Sequence, residues 1–190
     1  MTSDRTYGES ALLTPANMLT AARLFVAPVF IYLIVFYRIS WWTALVGFLA
    51  AMSDYFDGIV ARRHGTTTSG AFLDPLADKV IVLGSLYALI LARPHGLTSF
   101  IIPALIITAR EMWMSVYRAR AARRGISIPA SKLAKWKTFT QDCAIAFCVI
   151  PVTAHHAWIG VSVIWLAVVL TLYTGWQYYD QGKKVGLRAS

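Results

Sequence analysis

Six stretches of this chain are apolar for close to the length a bilayer demands, and this constrains the fold more than any other feature. They run near residues 18–37, 41–61, 76–92, 99–117, 139–154 and 157–176. A helix crossing the hydrocarbon layer needs about 20 residues at a rise of roughly 1.5 Å each. With 190 residues in all, little chain remains for anything else. A hydrophobic content of 57% with only 14% charged residues excludes an ordinary soluble domain. The first stretch is not expected to be a secretory signal, because Arg23 lies inside it and no small-residue cleavage site follows before Trp41. The expected fold class is all-α: a polytopic membrane protein with six transmembrane helices and no separate soluble domain.

The charges follow the same alternation. Of the 18 basic residues, Arg38 and Arg93 fall on one side. The other 16 lie in or beside the N-terminus, residues 62–79, residues 110–137 and the C-terminus. The positive-inside rule then puts both termini on the cytoplasmic side, together with the loops between the even and odd spans. A net charge of +9 arranged in this way suits anionic lipid or phosphorylated substrates, and no nucleic acid partner is expected. Cys143 and Cys148 do not face each other well on a helix and read as small core residues rather than a disulfide or a metal site.

Taken in order, residues 1–13 are polar or mixed and read as a flexible N-terminus. Thr14 and Pro15 read as a helix cap and first helical residue. The following MLTAARLF is amphipathic enough to lie along the interface as an N-terminal helix before the chain enters the membrane. Residues 14–182 are expected to form one membrane domain and 183–190 a cytoplasmic basic tail.

The chemistry concentrates between Ser53 and Asp78. Four of the chain's nine acids, Asp54, Asp57, Asp74 and Asp78, fall in this window, spaced i, i+3 and i, i+4. On helices, each pair shares a face. A carboxylate at membrane depth costs about 2.5–3.5 kcal/mol even on lenient scales, and four together repel unless cations join them. Two divalent ions would match their charge. Oxygen ligands without Cys or His favour Mg²⁺ or Mn²⁺ over zinc, and a metal pair can bridge phosphate oxygens. Gly58 and Ala61 remove bulk from one helical face, Arg62 can reach phosphate from it, and Gly70 lets the loop turn back to the next helix.

Written with its gaps, the window is D-x2-D-G-x2-A-R-x7-G-x3-D-x3-D. It resembles the signature of the CDP-alcohol phosphotransferases, integral membrane enzymes of phospholipid synthesis, with a loop between Arg62 and Gly70 one residue shorter than the usual pattern. The resemblance implies that Asp54, Asp57 and Asp74 are metal ligands. It makes Asp78 the general base, close to a metal as well, and assigns the CDP portion of the lipid to Asp57, Gly58, Ala61, Arg62 and Gly70. It implies CDP-diacylglycerol as donor, about two Mg²⁺ or Mn²⁺ per site, a homodimer, contact with membrane lipids and, in a bacterium, location in the plasma (inner) membrane as a multi-pass protein.

The acceptor must be chosen outside that window. Three stretches resemble the bacterial phosphatidylglycerophosphate synthases within the family: Asn17–Thr20 with Arg23, Asp74–Lys79, and Arg110-Glu111 with Lys132–Thr138. They imply glycerol 3-phosphate as acceptor. Its dianion needs a basic pocket beside the metals, for which Arg110, Lys135 and Lys137 are the best-placed residues and Arg118 a weaker one. Plainer roles stand beside these: an intramembrane ion pair for Arg110-Glu111, topology for Lys135 and Lys137, and a headgroup contact for Arg118. Rival functions are a cardiolipin synthase using phosphatidylglycerol, a phosphatidylinositol phosphate synthase, a membrane prenyltransferase, and a divalent-cation transporter. The transporter is disfavoured because all four acids sit at one end of the bilayer.

Overall fold

Each of the six apolar stretches lies on one long helix, except the fifth, which is broken. The computed structural model describes residues 15–64, 68–92, 97–124 and 132–184. In chain order these form α1 (Pro15–Phe36), α2 (Trp41–His64), α3 (Thr68–Ala92), α4 (Leu97–Arg123), α5 (Lys132–Val149), a short α6 (Pro151–Ala154) and α7 (Ala157–Lys184), with no strand among the described residues. Two of them, over Ser99–Arg123 of α4 and Trp158–Lys183 of α7, are long and apolar enough by themselves to cross a membrane. The expectations for residues 1–14, the turn at 93–96 and the tail beyond 184 fall outside the described residues.

Local chemistry explains where the helices stop. The residue before a proline is pushed out of the helical region, and Ile150 is extended at φ −69°, ψ 125° ahead of Pro151. Pro151 also has no N–H to give the Phe147 carbonyl four residues back. The Thr153 hydroxyl donates to that carbonyl at 3.0 Å instead, a repair that apolar surroundings demand. At the turn between α1 and α2, Arg38 takes a left-handed φ of 54°, and its N–H closes on the Leu33 carbonyl at 3.0 Å. Ser40 then caps α2, its hydroxyl accepting from the Trp42 N–H at 3.2 Å. Pro28 does not interrupt α1, which continues through the segment expected to lie at the interface.

α1 packs against both α2 and α3. α4 packs against α3 and α7, and α5 joins α7 to α2 and α3. One cluster that includes Phe30, Ile34, Leu86, Phe100, Ile107, Ile145 and Ile164 runs through this bundle. Gly84 is what lets α1 approach α3, because a Cβ there would collide with the Ile31 side chain; small residues at such contacts are how helices close up in lipid. The surface is the reverse of a soluble protein's. Phe25, Phe36, Trp41, Trp42, Phe48, Leu91, Trp158 and Trp176 are exposed, whereas Thr20, Arg23, Thr43, Ser85, Thr171 and Thr174 are buried. An apolar rim around a core that still buries a charge and several hydroxyls is what a bilayer, not water, selects.

Candidate active site

The acidic window occupies the second half of α2 and the first half of α3. Asp54, Asp57, Gly58, Ala61 and Arg62 are helical residues of α2, and Gly70, Asp74 and Asp78 of α3. The expected i, i+3 and i, i+4 spacings are therefore realised on helices, one turn apart in each pair. Both helices pack on α1. The side chains of Asp54, Asp57, Ala61, Arg62, Asp74 and Lys135 lie outside the described residues.

Asp78 is described, and it is not alone. The Arg23 guanidinium on α1 donates to Asp78 Oδ1 from Nη1 at 2.9 Å, across 55 residues of sequence. Arg23 is almost fully buried, at 3% exposure, while the Asp78 side chain keeps 44%. A buried guanidinium needs a carboxylate within reach, because an uncompensated charge in this environment is strongly destabilising. Asp78 meets that need and still faces outward enough to act on something else. The donor set fits a hard divalent cation: four carboxylates spaced in two pairs on α2 and α3, one of which, Asp78, keeps 44% of its side chain exposed.

Three helices build a second polar cluster. Glu111 on α4 accepts from Arg110 Nη1 at 2.8 Å and from Lys137 Nζ of α5 at 2.5 Å, both on the same oxygen, Oε1. Arg110 Nη2 donates to Thr174 Oγ1 of α7 at 3.0 Å, and the Thr174 hydroxyl in turn donates to the Leu170 carbonyl at 2.7 Å. One step further, Gln141 Nε2 donates to Thr171 Oγ1 at 3.0 Å, again joining α5 to α7. Gly175 leaves the space Arg110 occupies, since a Cβ there would come 3.1 Å from Nε. That Nε is buried with no hydrogen-bond partner among the described residues. The cluster holds two cations and one carboxylate, so it keeps a net positive charge in a buried place, which suits an anion.

Of the expected acceptor residues, the structure brings Arg110 and Lys137 together. Arg118 is exposed, with its guanidinium 5.1 Å over the ring of Tyr178, and lies near enough to Lys137 for the two cations to repel. Sequence reasoning sets Arg23, with Asn17 and Thr20, against the site and pairs Glu111 with Arg110, but it names neither Asp78 as the partner of Arg23 nor Lys137 as the second partner of Glu111. In both cases the signal available was a charge inside an apolar stretch, which requires a partner somewhere. Cys143 and Cys148 on α5 form no disulfide, and Cys148 is buried.

The sequence model of the CDP-alcohol phosphatidyltransferases matches residues 13–173. The chain is 36% identical over 177 residues to a protein of Rickettsia bellii named CDP-diacylglycerol–glycerol-3-phosphate 3-phosphatidyltransferase, covering 88% of this chain and 94% of the other. It is 37% identical over 180 residues to a probable phosphatidylglycerophosphate synthase of Mycobacterium tuberculosis, covering 90% and 82%. With a Shigella flexneri protein carrying the same name as the rickettsial one, identity is 36% over 175 residues, covering 88% and 93%.

Proposed function

The chain belongs to the CDP-alcohol phosphatidyltransferase family, and on that premise we propose that it transfers the phosphatidyl group of CDP-diacylglycerol to glycerol 3-phosphate, releasing CMP and giving phosphatidylglycerophosphate. The observation that carries this choice of acceptor is the buried pair Arg110 and Lys137, held together on two helices, α4 and α5, that both pack against α3. A dianionic acceptor needs such a pair; phosphatidylglycerol, with one phosphodiester, needs it less.

In this reading Asp78 takes the proton of the acceptor hydroxyl as that oxygen attacks the phosphorus bearing the diacylglycerol. The new P–O bond forms as the bond to CMP breaks. Arg23 holds Asp78 in place. Gly58, Ala61, Arg62 and Gly70, with Asp57, seat the CDP portion. Arg110 and Lys137, joined by Lys135 and, at the rim, Arg118, receive the acceptor's phosphate. Asp54, Asp57, Asp74 and Asp78 would hold Mg²⁺ or Mn²⁺, two per site, and these ions when bound supply charge neutralisation for the phosphates.

Around this site we read residues 14–182 as one membrane domain of six spans, with the first turns of α1 at the interface. The distribution of basic residues supports a cytoplasmic site and cytoplasmic termini in a bacterial plasma membrane. A homodimer embedded among membrane lipids is the expected assembly. The test is an acceptor screen: purified protein, CDP-diacylglycerol and Mg²⁺, with CMP release as readout. Release is expected with glycerol 3-phosphate and not with phosphatidylglycerol or inositol phosphate. Release with phosphatidylglycerol alone would make the protein a cardiolipin synthase instead.

A further inference from the structure

A carboxylate is out of place in a pocket meant to receive a dianion, yet Glu111 sits at the centre of one. Its side chain is 14% exposed, between Arg110 at 9% and the Lys137 side chain at 10%. If charge alone mattered, Glu111 would be an obstacle. Replacing it with a neutral residue would take the three-residue cluster from one net positive charge to two and tighten the hold on a phosphate. The geometry argues the opposite. One oxygen, Oε1, takes both Arg110 Nη1 and Lys137 Nζ, so this carboxylate is the only described group that ties the cation of α4 to the cation of α5. Without it, two buried cations would face each other with no anion between them, and the side chains would swing apart.

We infer that Glu111 is a positioning residue for the acceptor: it clamps Arg110 and Lys137 into a preformed pair that meets a phosphate monoester with both charges already in register. The rest of the cluster fixes the guanidinium plane. Thr174 takes Nη2 from the α7 side, and Gly175 beside it leaves room for the shaft and Nε. Arg110 is thus held at two nitrogens from two helices, and Lys137 is brought to it. Pre-organisation of this kind raises affinity by removing the cost of ordering long side chains at the moment of binding. The inference rests on reading Arg110 and Lys137 as the acceptor's phosphate site.

The test measures KM for both substrates, with inorganic phosphate as a competitive probe that reports binding without chemistry. For Glu111→Gln, we expect the glycerol 3-phosphate KM and the phosphate inhibition constant to rise together by about tenfold or more, with the CDP-diacylglycerol KM little changed. Glu111→Asp keeps the charge on a shorter arm and should lose less. Gly175→Ala alters no charge but crowds Arg110, and should give the same selective rise, smaller in size. A fall in the acceptor KM for Glu111→Gln would make Glu111 a simple electrostatic brake and overturn the inference. So would an equal rise in both KM values, the mark of general structural damage. If Glu111→Gln does not fold, Glu111→Asp decides: a selective rise in the acceptor KM supports the clamp, and an unchanged acceptor KM overturns it. Arg110→Gln separates the two levels, since an unchanged acceptor KM there would remove the phosphate site itself rather than Glu111's part in it.

Discussion

The acidic half of the site and its basic half use the same device with the signs exchanged. On α3, Asp78 of the acid-rich window is paired with the cation Arg23. On α4 and α5, the cations Arg110 and Lys137 are held by one acid, Glu111. The difference lies in what is left exposed. Asp78 keeps 44% of its side-chain surface while its partner is buried, whereas every member of the basic cluster is largely enclosed. In the proposed function the acidic half then presents a reactive group from a buried support, and the basic half presents a finished binding pair. Losing the minority charge should hurt them differently: chemistry in the first case, acceptor affinity in the second.

The largest expected effect breaks the acidic half outright. Asp78→Asn removes the proton acceptor and should lower turnover by about 10²–10⁴-fold, while CDP-diacylglycerol binding measured directly on the purified variant survives. A retained rate would take the general-base role from Asp78. Next in size, Arg23→Gln should lower kcat by roughly tenfold with both KM values little moved, because it loosens the group that reacts rather than one that binds. Arg23→Lys should recover part of that loss. An effect on the acceptor KM instead would erase the contrast between the halves. The smallest is a control that touches neither. Thr153→Val strands the Phe147 carbonyl at the break before α6, and should cost about 1 kcal/mol of stability, seen as a lower melting temperature with unchanged kinetics.

What sequence could supply, and what it could not, divides along distance in the chain. Six helices were legible because a bilayer imposes one length on each apolar run, and the acid spacings were legible because both members of each pair lie within one turn. The break at Ile150 was within reach, since Pro151 was visible, but the apolar run continued past it and hid the stop. The pairings between distant residues were not legible. Arg23 finds Asp78 across 55 residues, Lys137 finds Glu111 across 26, and Arg110 finds Thr174 across 64. No periodicity carries such information; it comes from which helices pack, and α1 against α3 or α4 against α7 is decided by side-chain fit such as Ile31 over Gly84. The adjacency of Arg110 and Glu111 suggested an ion pair, and it is one, but as half of a clamp whose other half arrives from α5.

The division of labour between the two halves is tested most directly by Lys137→Ala, with KM determined for both substrates on the same preparation. The account predicts that the KM for glycerol 3-phosphate rises about tenfold or more while that for CDP-diacylglycerol stays near its original value. An equal rise in both, or a rise confined to CDP-diacylglycerol, would contradict it.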